Sequence, residues 1–143
     1  MELHPKYIYV VPVVTIMVTI FRSTSSKESK LVVIVRKDLK MGAGKVAAQV
    51  GHAAVECALY AEKKDKKNFD AWYSSGQAKV VLKVDDEAML NEYVAKARSM
   101  GIHTEVITDA GRTQIAPGSV TCAGLGPAPV EELDRVTGEL KMY

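Results

Sequence analysis

The chain opens its ordered pattern with Leu31-Val-Val-Ile-Val35, five consecutive β-branched or branched apolar residues. A run without polar alternation predicts a strand buried on both faces, central in its sheet. Arg36 to Gly44 is a turn-rich loop. Lys45 to about Lys63 changes to helical period, with Val46, Ala47, Val50, Ala54, Cys57 and Ala61 on a small apolar side. Lys45, Gln49, His52 and Glu56 fall on the opposite, polar side. Asn68 to Ser74 predicts a second short helix, ended by Gly76. Lys79 to Val84 reads as a second strand. Asp86 is a helix cap before Met89, Leu90, Tyr93, Val94 and Ala97, and Gly101 sits where a left-handed residue closes a helix. Thr104–Thr108 and Val120–Leu125 read as strands three and four, separated by the loop 109–119. Pro129 starts a last short helix toward Arg135.

The order β-α-α-β-α-β-β-α predicts a layered α/β domain with a small mixed sheet. Strands joined through helices can lie parallel, and the last pair, joined by a loop, can be antiparallel. Ahead of this pattern stands Tyr7 to Phe21, YIYVVPVVTIMVTIF, fifteen residues without a charge. A straight helix of that length covers about 22 Å, short of a hydrocarbon core of about 30 Å. The segment reads as a short signal-anchor, a secretory h-region or an apolar extension. Only Lys6 precedes it and Phe21-Arg22-Ser23 follows, which disfavours a cleaved signal. Arg22, Lys27 and Lys30 beyond it would leave an anchored domain on the cytosolic side. The polar stretch Ser23–Lys30 is a linker, so the chain divides into a segment 1–30 and a domain 31–143.

Composition adds limits. With 143 residues, 48% apolar and 25% charged, the chain can bury a core without staples. Cys57 and Cys122 form no metal-type spacing, which disfavours a zinc site or disulfide framework and fits a reducing compartment. The net charge of +2 hides an asymmetry. Residues 31–67 carry eight Lys/Arg against four Asp/Glu, whereas 68–143 carry seven against eleven. One basic third suits a polyanion on one face, and equally suits a solvated surface.

Three segments could carry chemistry. Met41-Gly-Ala-Gly-Lys45 resembles a phosphate loop but lacks its spacing: position 39 is Leu and position 46 is Val. What remains is a glycine-rich entry to a helix with Lys45 in its first turn, suited to an anion or merely a capped loop. His52 is a lone helical histidine. Thr108-Asp-Ala-Gly-Arg-Thr-Gln-Ile-Ala-Pro-Gly118 follows a strand end, where α/β proteins place their sites. It offers Asp109, Arg112, Thr113 and Gln114, though an ordinary turn would use the same residues. No GxSxG is present.

Taken together, VRKDLKMGAGKVAAQVGHA (35–53), GQAKVVLK (76–83), DAGRTQIAPGSVT (109–121), GLGP (124–127) and VTGELK (136–141) resemble the archaeal and eukaryotic peptidyl-tRNA hydrolase family. The resemblance covers about Leu31 to Tyr143. It implies a three-layer α/β/α fold with a four-stranded mixed β-sheet, in a homodimer. It implies hydrolysis of the ester between a peptide and the tRNA 3′ ribose, without metal or cofactor. Family functional residues fall here on Lys45, Asp109, Thr113 and Thr121, with Gln49 and His52 in the same motif helix. Arg36, Lys37, Lys40 and Arg112 are the expected phosphate contacts, with Gln114 beside them. Lys63, Lys64, Lys66 and Lys67 either extend that track or solubilise a helix end. Eukaryotic members often carry an N-terminal apolar segment, associated with a mitochondrial or other membrane, which places this chain in the cytoplasm or tethered facing it. An alternative is a non-catalytic, membrane-anchored signalling adaptor, which would have no need of Lys45, Asp109 and Thr113. If Lys45 and Asp109 pair, their attraction at about 4 Å and a dielectric near 20 is about 4 kcal/mol. A carboxylate so held is a poor base, which favours Asp109 as a water-orienting group and Lys45 as oxyanion partner.

Overall fold

The computed structural model describes residues 28–110 and 116–143. The apolar segment Tyr7–Phe21, and the loop residues Arg112, Thr113 and Gln114, lie outside the described residues. Among those described, no helix is long and apolar enough to cross a membrane.

Strand β1 (Ser29–Arg36) is central, as its unbroken apolar run predicts. It extends two residues earlier and one later than Leu31–Val35. It pairs in parallel with β2 (Lys79–Val84) and antiparallel with β4 (Val120–Pro129). β4 pairs antiparallel with β3 (Thr104–Thr108), giving the order β2-β1-β4-β3. β4 runs four residues beyond the expected Leu125. Its glycines and prolines read as turn signals, yet Ala128 and Pro129 still align with Lys30 and Ser29. Backbone pairing across an irregular register, not side-chain propensity, holds that end.

Helices cover both faces of the sheet, so the domain is three-layered. On one side, α1 (Ala43–Lys64) and α2 (Lys66–Ser74) pack on the odd-numbered side chains of β1. Val33 and Val35 meet Val46, Ala53, Ile107 and Cys122 there, and Leu31 meets Cys57 and Trp72. On the other, α3 (Glu87–Ser99) and α4 (Val130–Thr137) bury Leu90, Val94, Leu133 and Val136 against Val32, Ile34, Val84 and Leu125. The expected signals of α3 are present. Asp86 accepts the Met89 N–H at 2.9 Å, and Gly101, at φ +77°, lets Ile102 N–H reach back to the Ala97 carbonyl. Helix α1 begins two residues before Lys45, and its buried stripe is Val46, Gln49, Ala53, Cys57 and Ala61. Ala47, expected inside, is exposed, and Gln49, expected outside, is buried.

The C-terminal residues close the outer edge of β2. Lys83 N–H donates to the Lys141 carbonyl and Tyr143 N–H to the Val81 carbonyl, both at 3.0 Å. A covered edge cannot template pairing with another chain.

Candidate active site

Strand directions place the site. β1, β2 and β3 all point their C-terminal ends to one rim of the sheet, and β4 begins there. The residues after those strand ends are the ones a ligand can reach in an α/β sheet. Gly42 enters α1 at the same rim in an extended conformation, with φ −67° and ψ 161°. Lys45 is therefore in the first turn of a helix that starts beside the end of β3.

Asp109 is the residue directly after β3. Its N–H donates to the Ser119 carbonyl at 2.8 Å, and its own carbonyl accepts the Gly118 N–H at 3.0 Å. These two bonds pin both stems of the loop and fix the carboxylate. Lys45 Nζ donates to Asp109 Oδ1 at 2.5 Å. The Asp109 side chain is 2% exposed and that of Lys45 19%. A carboxylate this buried needs a charged partner, because an uncompensated charge would cost several kcal/mol. The two groups, 64 positions apart in the chain, meet only because α1 and β3 do.

One turn further along α1, Gln49 is 4% exposed and Thr121 wholly buried. Thr121 Oγ1 donates to Gln49 Oε1 at 2.6 Å. A bulge causes this meeting. Ile107 aligns with Cys122 but Thr108 with Val120, so Thr121 is the extra residue. Bulges re-aim side chains, and this one turns Thr121 toward α1. Gly124 allows the close approach: a Cβ there would stand 2.6 Å from Cys57 Sγ and 3.2 Å from the Ala53 carbonyl. Small residues on both elements thus seat α1 near enough for Gln49 to reach Thr121.

The remaining expected residues divide. The Arg36 guanidinium is committed within the chain. It donates to both carboxylate oxygens of Asp38 at 3.0 and 2.8 Å, and to the Val120 carbonyl at 2.9 Å. A longer contact of 3.4 Å reaches Glu87. The Asp38 hydrogen bond holds the Arg36 pKa above its ordinary value. Arg36 therefore anchors the start of β4 beside the bulge. Its partner Asp38, two residues on, was the signal for this in the sequence. Lys37 pairs with Asp85 at 2.9 Å on the surface. Lys40 is exposed in a left-handed turn at φ 49°. His52 is exposed on α1, about two turns beyond Lys45. Both thiols are buried, and burial pushes Cys57 up to about 12 and Cys122 up to about 11, which disfavours the thiolate. Among the described residues no group of three His, Cys, Asp or Glu is placed to hold a metal ion.

Fold and site together define an α/β/α domain with one lysine–carboxylate pair, its carboxylate buried, at the strand ends. Residues 29–143 match the family described as peptidyl-tRNA hydrolase PTH2, and the chain belongs to that family. It is 50% identical over 113 residues to the peptidyl-tRNA hydrolase of Thermoplasma acidophilum, covering 79% of this chain and 97% of that protein. It is 56% identical over 113 residues to the Thermoplasma volcanium protein of the same name, with the same coverage. Against the human protein named peptidyl-tRNA hydrolase 2, mitochondrial, identity is 48% over 118 residues, covering 82% of this chain and 66% of the human one.

Proposed function

We propose that this chain hydrolyses the ester joining a peptide, or another N-substituted aminoacyl group, to the 3′ ribose of tRNA. The observation that carries this reading is the buried Lys45–Asp109 pair at the strand ends, in a chain of this family. Hydrolysis adds water to the ester carbonyl, breaks the bond to the ribose oxygen and returns a proton to that oxygen. Two tasks follow: water must be oriented, and the negative charge on the carbonyl oxygen must be met. Asp109 orients the water. It is not the proton acceptor of choice, because an ammonium at hydrogen-bond distance favours its charged form. Lys45 turns from the carboxylate toward the developing oxyanion. Thr121 is buried and acts through Gln49, holding the amide in place. Thr113, Arg112 and Gln114 receive the ribose and terminal phosphates on this reading, with Lys37, Lys40 and His52 along the approach. No step calls for a metal or cofactor.

The family resemblance also supports a homodimer, which sedimentation equilibrium reads directly. Residues 7–21 tether the domain to a membrane, facing the cytosol; flotation of the full chain with liposomes tests this.

The primary experiment is single-turnover release of an N-blocked aminoacyl group from tRNA, with and without EDTA. Release that survives EDTA and collapses in Asp109→Ala supports the reading. No release by folded wild-type protein overturns it.

A further inference from the structure

The corner between α1 and α2 carries a basic and aromatic surface that the reaction centre does not use. Four lysines surround the turn: Lys63, Lys64, Lys66 and Lys67. Of these, Lys66 is committed locally, bridging Asp70 at 3.1 Å and lying 5.1 Å above the Phe69 ring. Asp65 accepts from Asn68 at 2.7 Å. Among the described residues no ion pair engages Lys63, Lys64 or Lys67, and all three are exposed. Asp65 and Asp70 thus have local partners, and with Glu62 exposed beside Lys63 the corner holds four lysines against three carboxylates. Beside them Tyr73 stacks on Phe69, with ring centroids 5.2 Å apart and planes at 24°. Tyr73 is 55% exposed, so it keeps accessible surface beyond its contact with Phe69.

Helical geometry relates this corner to the site. Lys63 stands eighteen residues after Lys45 on one continuous helix. That is about five full turns, so both lie on one face about 27 Å apart. No small anion spans such a distance. A polyanionic strand does.

We infer that the α1–α2 corner docks the body of the substrate RNA, with Lys63, Lys64 and Lys67 on backbone phosphates and Tyr73 against an exposed base or ribose. The inference rests on the proposed reading of the site, since it takes the 3′ end to lie at Lys45. Phosphate contacts of this kind position a nucleic acid without reading its sequence. An exposed aromatic ring adds sequence-tolerant stacking.

The test uses the full chain and two substrates: a whole N-blocked aminoacyl-tRNA, and a short 3′-terminal oligonucleotide carrying the same ester. The short ester cannot reach 27 Å from the centre. In Lys63→Glu/Lys64→Glu/Lys67→Glu, KM for whole tRNA is expected to rise at least tenfold, with kinetics on the short ester retained. The slope of log affinity against log salt, read with deacylated tRNA, should fall by about two to three, roughly one for each phosphate no longer neutralised. Tyr73→Ala should weaken deacylated tRNA binding at least fivefold, in line with the removal of one stacked base. Unchanged KM and salt slope in the triple variant would overturn the inference. So would equal losses on both substrates, which would mean damage to the centre or fold. If wild type hydrolyses neither ester, the functional reading fails on its own. The binding of deacylated tRNA still decides whether this corner holds RNA.

Discussion

The Lys45–Asp109 ion pair is the centre of the proposed chemistry, and Asp109 makes the sharpest prediction. Asp109→Asn keeps the shape of the side chain and removes its charge. Turnover should fall about 10²–10³-fold, the scale of losing one positioned electrostatic group. Near-normal single-turnover rates in that variant would remove Asp109 from the centre. The cysteines give a separate expectation. Burial raises both thiol pKa values above their ordinary value, so folding favours the neutral thiol. The sign follows: this contribution to stability is complete below about pH 9 and lost as pH rises through 11–12. At pH 8 a disulfide reagent should leave both thiols of the native protein unmodified and react with both after denaturation. Rapid titration of the native chain would contradict their burial. Lys45 and Asp109 were legible in the sequence, through a glycine-rich helix entry and a strand end. Gln49 was not. By period it lies about 60° from Val46 and 40° from Ala53, within the buried stripe. Its amide suggested solvent, and only the hydroxyl of Thr121, from another element, makes burial of that amide favourable.

Two elements, α1 and β4, set the precision of the site. Gly124→Ala would place a methyl 2.6 Å from Cys57 Sγ and tight against the backbone of α1. Overpacking of this kind costs about 1–3 kcal/mol. It should appear as a lower urea midpoint, with turnover reduced beyond what stability explains, because Lys45 and Gln49 shift with the helix. Full activity at reduced stability would separate helix seating from catalysis. Thr121→Val keeps the shape but leaves Gln49 Oε1 without its donor, at a cost of about 1–3 kcal/mol. Thr121→Ser should restore the hydrogen bond and the turnover. Failure of that rescue would argue against a positioning role for the hydroxyl. The bulge that aims Thr121 had no local signature, since period-two alternation places a strand residue without regard to an extra one in its partner register.

Across the whole domain, the sheet is closed by its last residues. Deleting Lys141–Tyr143 removes two backbone hydrogen bonds from β2 and opens its edge. The shortened chain should melt a few degrees lower and self-associate on size exclusion, as an unpaired edge invites. An unchanged melting temperature and elution volume would show that the tail does not guard that edge. The layered α/β architecture, the central strand, the capped helix α3, the parallel and antiparallel pairings and the family all followed from the order of residues alone. They depend on local propensity, periodicity and residue strings, which are written along one dimension. Folding in three dimensions was needed to clamp Arg36 to Asp38 and to Val120, 84 positions away. It was needed as well to bury Gln49 on Thr121 and to close Lys45 on Asp109. In each case a polar group's role is set by which partner the fold brings within about 3 Å. That distance depends on the packing of elements far apart in the chain.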